Sequence, residues 1–306
     1  MTQPVEAVGA QAPASTREIV LPGAHDAAND ASKRGQDLYV RWSAARFIAL
    51  LVAAVMGAIP FEIADVDASG LLLLAGFAGA AVAEIALIYF QPERDWYSGR
   101  AIAESAKTLA WRFSVLGEPF GPDLTAAEAE DRLRSRFDEL LHRGRDRIDI
   151  GAGDAVVTPS MRAMRSESLP VRKQAYLERR TDEQRNWYST NAKKNERRAT
   201  VLRYALLCGE VLAVVIAALS FGRHEPVDFA GLAAACVASG AAWLGLKQYS
   251  QLTSAYRVAA IELALQAGVL RDVTEDNWPQ AVADAEEAIS REHTMWLASR
   301  GEEPLA

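Results

Sequence analysis

The chain is short of the residues that most enzyme chemistry requires. Its 306 residues hold two cysteines and four histidines. Cys208 and Cys236 both fall inside apolar windows, where a thiol behaves as a small hydrophobe, so neither a disulfide framework nor a zinc site is expected. His25, His142, His224 and His293 are scattered, and HExxH, CxxC and GxSxG are all missing. The chain therefore reads as a non-enzyme with no cofactor. An excess of basic charge is also lacking: 33 Lys and Arg against 40 Asp and Glu leave a net charge of -7, which gives no reason to expect nucleic acid as a partner. Met1 to Asp30 contains no basic segment followed by an apolar run, so the first apolar span is expected to serve as the insertion signal. The GAGD at Gly151 to Asp154 follows no strand and lacks GK[ST], so it is not read as a phosphate loop.

What is present is long apolar runs. A mean hydropathy of -0.03 resembles that of a soluble protein, yet charge is nearly absent from four windows and crowded into the rest. Leu71 to Phe90, LLLLAGFAGAAVAEIALIYF, has Glu84 as its only charged side chain. A bilayer core about 30 Å thick needs about 20 helical residues, and lipid forces every backbone hydrogen bond to close within the helix. The same reading applies to Phe47 to Ile63, to Tyr204 to Phe221 and to Phe229 to Leu246. The fold expected is an all-α membrane protein of two transmembrane hairpins, four spans in all, with long cytoplasmic helical extensions. The turns ADVDASG (Ala64 to Gly70) and GRHEPVD (Gly222 to Asp228) are acidic or nearly neutral, whereas the flanks carry Arg41, Arg46, Arg94, Arg100, Lys193, Lys194, Arg197, Arg198, Arg203 and Lys247. The positive-inside rule puts the turns outside and both termini in the cytoplasm, here of a bacterial inner membrane.

Along the chain, residues 1–36 are rich in Ala, Pro, Gln and Asp and are expected to form a disordered tail. Residues 37–116 hold the first two-span unit, with Tyr39 and Trp42 as an interfacial belt and an exit helix after Pro92. Residues 117–170 form a cytoplasmic linker, in which Thr125 and Glu128 spell a capping box that opens an amphipathic helix, and Arg143 to Pro170 is irregular. Residues 171–270 hold the second two-span unit. Val171 to Ser220 has no Pro and only Gly209, so one continuous helix is expected there, and no breaker follows the fourth span before Gly268. Residues 271–306 carry Trp278, Val282, Ala285, Ile289 and Trp296 near heptad spacing, a helix able to dock on the stalk or on another subunit. Basic lead, span, short turn, span and exit helix thus occur twice.

The hairpin followed by WYSGRAIAESAKTLAWRF, and the lead into DEQRNWYSTNAKKN before the second hairpin, resemble the SLATT proteins, the SMODS- and SLOG-associating two-transmembrane effectors. The residues carrying the likeness are Trp96, Arg100, Glu104, Lys107 and Trp111, then Tyr176, Arg180, Gln184, Trp187, Tyr188, Ala192 and Asn195. Residues 35–270 resemble two SLATT units in tandem. The resemblance implies a pore-forming or membrane-damaging effector of a bacterial antiviral conflict system, triggered by a nucleotide-derived signal. The partners it implies are a separate nucleotide-sensing or nucleotide-synthesising protein and further copies of the chain, alongside the lipid bilayer. The competing reading is a non-conducting scaffold or receptor that binds a cytoplasmic partner through its helical stalk.

Glu84 and Glu210 each lie about 9 Å from the cytoplasmic end of their spans at 1.5 Å per residue. Two readings stand: carboxylates lining a cation pathway in an assembly, or groups tied to a neighbour such as Arg46 or Arg203. Glu62, near the outer boundary, lines the pathway or simply reaches headgroup water. Gly231, Ala235, Cys236 and Gly240 give the fourth span a small-residue face for packing or assembly. Trp96, Tyr97, Trp187 and Tyr188 read as belt or stalk core, with ligand stacking as the alternative.

Overall fold

A computed structural model describes residues 18–63, 66–144, 155–222 and 227–298. The fold is all-α with four helices long and apolar enough to cross a membrane, within Gly23–Ala58, Ala68–Ser114, Leu169–Ser220 and Phe229–Asp272. Helix α1 (Gly23–Ala58) leads into the two-residue strands β1 (Glu62–Ile63) and β2 (Val66–Asp67), paired antiparallel with Glu62 opposite Asp67. Helices α2 (Ala68–Phe90), α3 (Pro92–Ser114), α4 (Ala126–Gly144), α5 (Pro159–Arg165) and α6 (Leu169–Tyr176) follow. A π-helical turn at Leu177–Asp182 joins α6 to α7 (Glu183–Ser220), and α8 (Phe229–Lys247), α9 (Tyr249–Asp272) and α10 (Trp278–Ala298) complete the chain. The chain divides into two compact units. One is Asn29–Arg100 with Tyr188–Val258, and the other comprises the described residues of Met1–Ala28, Ala101–Trp187 and Ala259–Ala306.

The first unit contains the spans. Its helices approach through small residues: a Cβ on Gly76 would lie 2.9 Å from the Ala49 carbonyl oxygen and from Ala53, and one on Gly240 would lie 2.7 Å from Leu206. Phe47 of α1 meets Trp243 of α8 edge-on at 6.3 Å. No residue in the most apolar windows of α7 and α8 is buried, and Leu74, Ile85, Ile88, Val211, Val214 and Leu219 are all exposed. An apolar surface this extensive is stable only against lipid or another apolar chain.

The second unit has an ordinary core in which Ile102, Phe113, Phe120, Leu133, Phe137, Met161, Leu263, Leu270 and Trp278 are buried. Helix α4 opens on the expected capping box: the Glu128 amide donates to Thr125 Oγ1 at 3.3 Å, and the Thr125 amide donates to Glu128 Oε2 at 2.9 Å. Each closes an orphan donor of the first turn. Helix α10 docks on its own chain. Trp278, Val282, Ala285 and Ile289 are buried, and Gly117 lets Val282 approach, since a Cβ there would lie 2.5 Å from it.

Four expectations about the backbone are corrected. The tail expected over 1–36 is ordered from Glu18: Val20 bonds Ser160 and Thr158 through its amide and carbonyl, and α1 begins at Gly23. Ala24, Ala28 and Ala31 form a buried stripe at helical spacing, which a rule based on scarcity of large apolar residues overlooks; residues 1–17 lie outside the described set. Helix α1 ends at Ala58, so Glu62 sits beyond the span in the exposed ribbon. The irregular stretch contains α5 and the first two residues of α6, while the GAGD lies outside the described residues. Finally, the helix after the fourth span breaks at Gln248 rather than at Gly268, with φ 48 and ψ 35.

Candidate functional site

The break at Gln248 has a twin. Gln91, after α2, is also left-handed, with φ 46 and ψ 49. Each caps its span with an amide hydrogen bond of 3.1 Å, Gln91 to the Leu87 carbonyl and Gln248 to the Leu244 carbonyl. At the other end of each span an Asp caps the helix: Asp67 Oδ1 accepts from the Gly70 amide and Asp228 Oδ1 from the Gly231 amide, both at 2.8 Å. The two second spans are thus built alike, from Asp-x-x-Gly to a left-handed Gln. Without glycine that conformation costs about 1–2 kcal/mol, so its repetition marks a selected bend.

Within the first hairpin Glu84 forms an ion pair with Arg46, whose guanidinium also lies 5.3 Å from the Phe47 ring centroid. The pair lines a cavity of about 330 Å³ that also includes Ser43, Gln91, Glu93 and Arg94. Glu84 therefore has the structural partner that one of its two readings named. Arg203 instead donates to Ser250 Oγ at 2.9 Å. Glu210 is exposed on the span of α7 and has no ion-pair partner among the described residues. Of the small residues of α8, Gly240 packs against Leu206 and Gly231 serves the Asp228 cap, while Ala235 is half-buried and Cys236 exposed.

The residues carrying the family likeness divide between the two units. Trp96 stacks 6.1 Å from Tyr39 and 5.1 Å from Tyr97, and its carbonyl accepts from Ser32 Oγ. Tyr188 is buried and meets Tyr256 at 5.6 Å; Asn195 is buried, Gln184 and Arg100 are half-buried, and Trp187 is exposed.

Tyr176 and Arg180 reach a feature the sequence reading missed. Arg180, on the π-helical turn, donates from Nε and Nη2 to the two oxygens of Glu286 on α10, at 2.8 and 2.6 Å. The same carboxylate accepts from Tyr176 Oη at 2.9 Å and from Thr108 Oγ1 at 2.9 Å. Both ends of the ion pair are fully buried. Burial alone would push the Glu286 carboxyl up, but the Arg180 guanidinium and the hydroxyls of Thr108 and Tyr176 hold it below its ordinary value of 4.5. Burial, together with the Glu286 charge, pushes the Tyr176 phenol well above its ordinary range, so it stays a neutral donor. Arg180 is raised because Glu286 outweighs the cost of its burial, with Glu104 adding to the field.

π-turns of this kind recur at functional sites, and Asp182 at the end of this one is ion-paired with Arg185 at 3.3 Å. The sequence signal for Glu286 was present: it falls four residues after Val282 and three before Ile289, on the apolar stripe of α10. Nearby, Arg172 donates to the Val115 carbonyl and Glu275, and Arg165 donates to the Phe113 and Phe120 carbonyls. Burial lowers the Arg165 pKa to about 10. These arginines hold the loop after α3 rather than presenting charge to a ligand.

Comparison with known families gives two adjacent matches. Residues 22–173 match the family described as SMODS and SLOG-associating 2TM effector domain 3, SLATT_3, and residues 176–296 match SMODS and SLOG-associating 2TM effector domain 1, SLATT_1. No curated protein and no solved structure matches the chain.

Proposed function

The chain belongs to the SLATT family of two-transmembrane effectors, as two units in tandem, and from that premise we propose that it is an oligomeric pore-forming effector of a bacterial defence system. The observation that carries this reading is Glu210. It is an exposed carboxylate on a membrane span, without an ion-pair partner among the described residues. A charge so placed costs about 3 kcal/mol or more in lipid unless it faces water or another subunit. Assembly through the exposed faces of α7 and α8 satisfies it, with Glu210 lining a cation path and Glu84 held beside that path by Arg46. A nucleotide-derived signal, supplied by a separate protein, acts on the charged helices outside the bilayer. The π-turn at Arg180 is the bistable element, because α7 continues from it into the span. The chain sits in the bacterial inner membrane with both termini in the cytoplasm.

Expression of the chain with its trigger in cells carrying a membrane-potential dye tests this. The expected result is collapse of the potential, with Glu210→Gln changing the cation flux several-fold. An unchanged potential with the trigger present overturns the pore and leaves the non-conducting receptor as the reading.

A further inference from the structure

The two left-handed glutamines bring a second equivalence with them. A cavity of about 640 Å³ lies at Gln248, and the cavity of about 330 Å³ described above lies at Gln91. Counted from the glutamine, their walls correspond. Leu87 and Leu244 stand four residues before it, and Ile88 and Gly245 three before; Glu93 and Ser250 stand two after, and Arg94 and Gln251 three after. Each cavity also takes one arginine from the helix that precedes its span, Arg46 in the first and Arg203 in the second. The repeat has therefore duplicated a pocket, and both copies lie within the same compact unit.

The copies differ in charge. In the first, Arg46 and Arg94 face Glu84 and Glu93, so the pocket is neutral within itself and the Glu84 carboxylate sits on the Arg46 guanidinium. In the second, Ala241 stands where Glu84 stands, seven residues before the glutamine, and Ser250 stands where Glu93 does. Among the described residues Arg203 is the only charged group lining it, and it donates to Ser250 Oγ at 2.9 Å. Lys247 is engaged elsewhere, its ammonium 4.8 Å from the Trp243 ring centroid. The second pocket thus keeps the cation and has lost the internal anion.

Its walls specify what replaces that anion. Ala241, Leu244 and Gly245 belong to the span, and a Cβ on Gly245 would meet nothing within 4 Å, so this end is open and apolar. Past the end of the span, Gln248, Ser250, Gln251 and Ser254 supply hydrogen-bonding groups. An occupant must be apolar at one end and anionic with acceptor oxygens at the other. Arginine pockets at the membrane boundary take phospholipid headgroups for this reason. We propose that the cavity at Gln248 is a phospholipid site in which the lipid phosphate takes, on Arg203, the place that the Glu84 carboxylate takes on Arg46. This rests on membrane insertion alone and stands whether or not the chain conducts.

The full chain, extracted in mild detergent and supplied with phosphatidylglycerol, tests the site by native mass spectrometry of retained lipid. Wild type is expected to retain lipid, with retention falling about fivefold or more in Arg203→Gln, the loss of one basic contact at the surface. Ala241→Glu, which supplies the internal carboxylate, is expected to lower retention to the same extent. Glu84→Ala, which frees Arg46, is expected to raise it. Arg203 is exposed, so Arg203→Gln reads the site even if the glutamate variant fails to fold. Equal retention in wild type and Arg203→Gln overturns the proposal. So does equal retention of diacylglycerol, which lacks the phosphate, or displacement of the lipid by inorganic phosphate at equimolar concentration.

Discussion

At the residue scale the decisive side chain is Glu286. It is fully buried, and its carboxylate has two contacts with Arg180 and one each with Tyr176 and Thr108. Removing one member of such a pair strands a charge in the interior, which costs about 3–5 kcal/mol, whereas replacing both by apolar groups is often neutral. Glu286→Ala is therefore expected to lower the unfolding midpoint sharply in a thermal melt of the detergent-extracted chain. Arg180→Met combined with Glu286→Leu should recover most of that loss; a double variant as unstable as the single one would show that the polar network itself is required. The same residue sets an acid limit. Its folded pKa lies below its ordinary value of 4.5, so the pair contributes in full above that value. The contribution is lost as the pH falls below 4.5 and through the folded pKa. In the Arg180→Met, Glu286→Leu chain this part of the acid sensitivity should disappear, as denaturation followed between neutral pH and pH 3 would show.

At the scale of elements, the chain repeats a span that starts on an Asp cap and ends on a left-handed Gln. Glycine adopts that left-handed conformation without a Cβ penalty, so Gln91→Gly and Gln248→Gly are each expected to be neutral or to stabilise by up to about 1 kcal/mol. Asp67→Ala and Asp228→Ala should each destabilise through loss of the cap. Equilibrium unfolding of the four variants measures both, and a large loss at either glycine would mean that the Gln side chain itself is needed. The sequence already showed two hairpins, two exit helices and the Thr125 capping box, because these depend on hydropathy and on neighbours three or four positions apart. It showed the first break, because Pro92 follows Gln91 and opens α3, but not the second: Gln248 carries no breaker signal, and Gly268, which does, lies inside α9.

At the scale of the molecule, the proposed topology makes a prediction of its own. In a chain with Cys208→Ala and Cys236→Ala, Val66→Cys in the outer turn should react with a membrane-impermeant maleimide on intact cells. Ser189→Cys on the stalk should react only after permeabilisation. The reverse pattern would invert the orientation and with it the side from which a trigger acts. The small-residue contacts, Gly76 on Ala53 and Gly240 on Leu206, hold each hairpin together inside one chain. The exposed apolar faces of α7 and α8 remain for lipid or for other copies.

The sequence by itself determined the solvent: four long apolar windows with almost no charge suit only lipid, and lipid makes each span close its own hydrogen bonds, a constraint written in local composition. It also carried the family, through aromatic and basic residues close together in the chain. What only the tertiary structure decided is where each buried or membrane-embedded charge finds its counterion. Glu84 meets Arg46 38 positions away and Arg180 meets Glu286 106 positions away. Arg203, in the pocket equivalent to that of Glu84, faces an alanine. A charge in low dielectric is governed by whatever lies within a few ångströms, and that neighbourhood is set by how distant helices pack, not by the residues beside it in sequence.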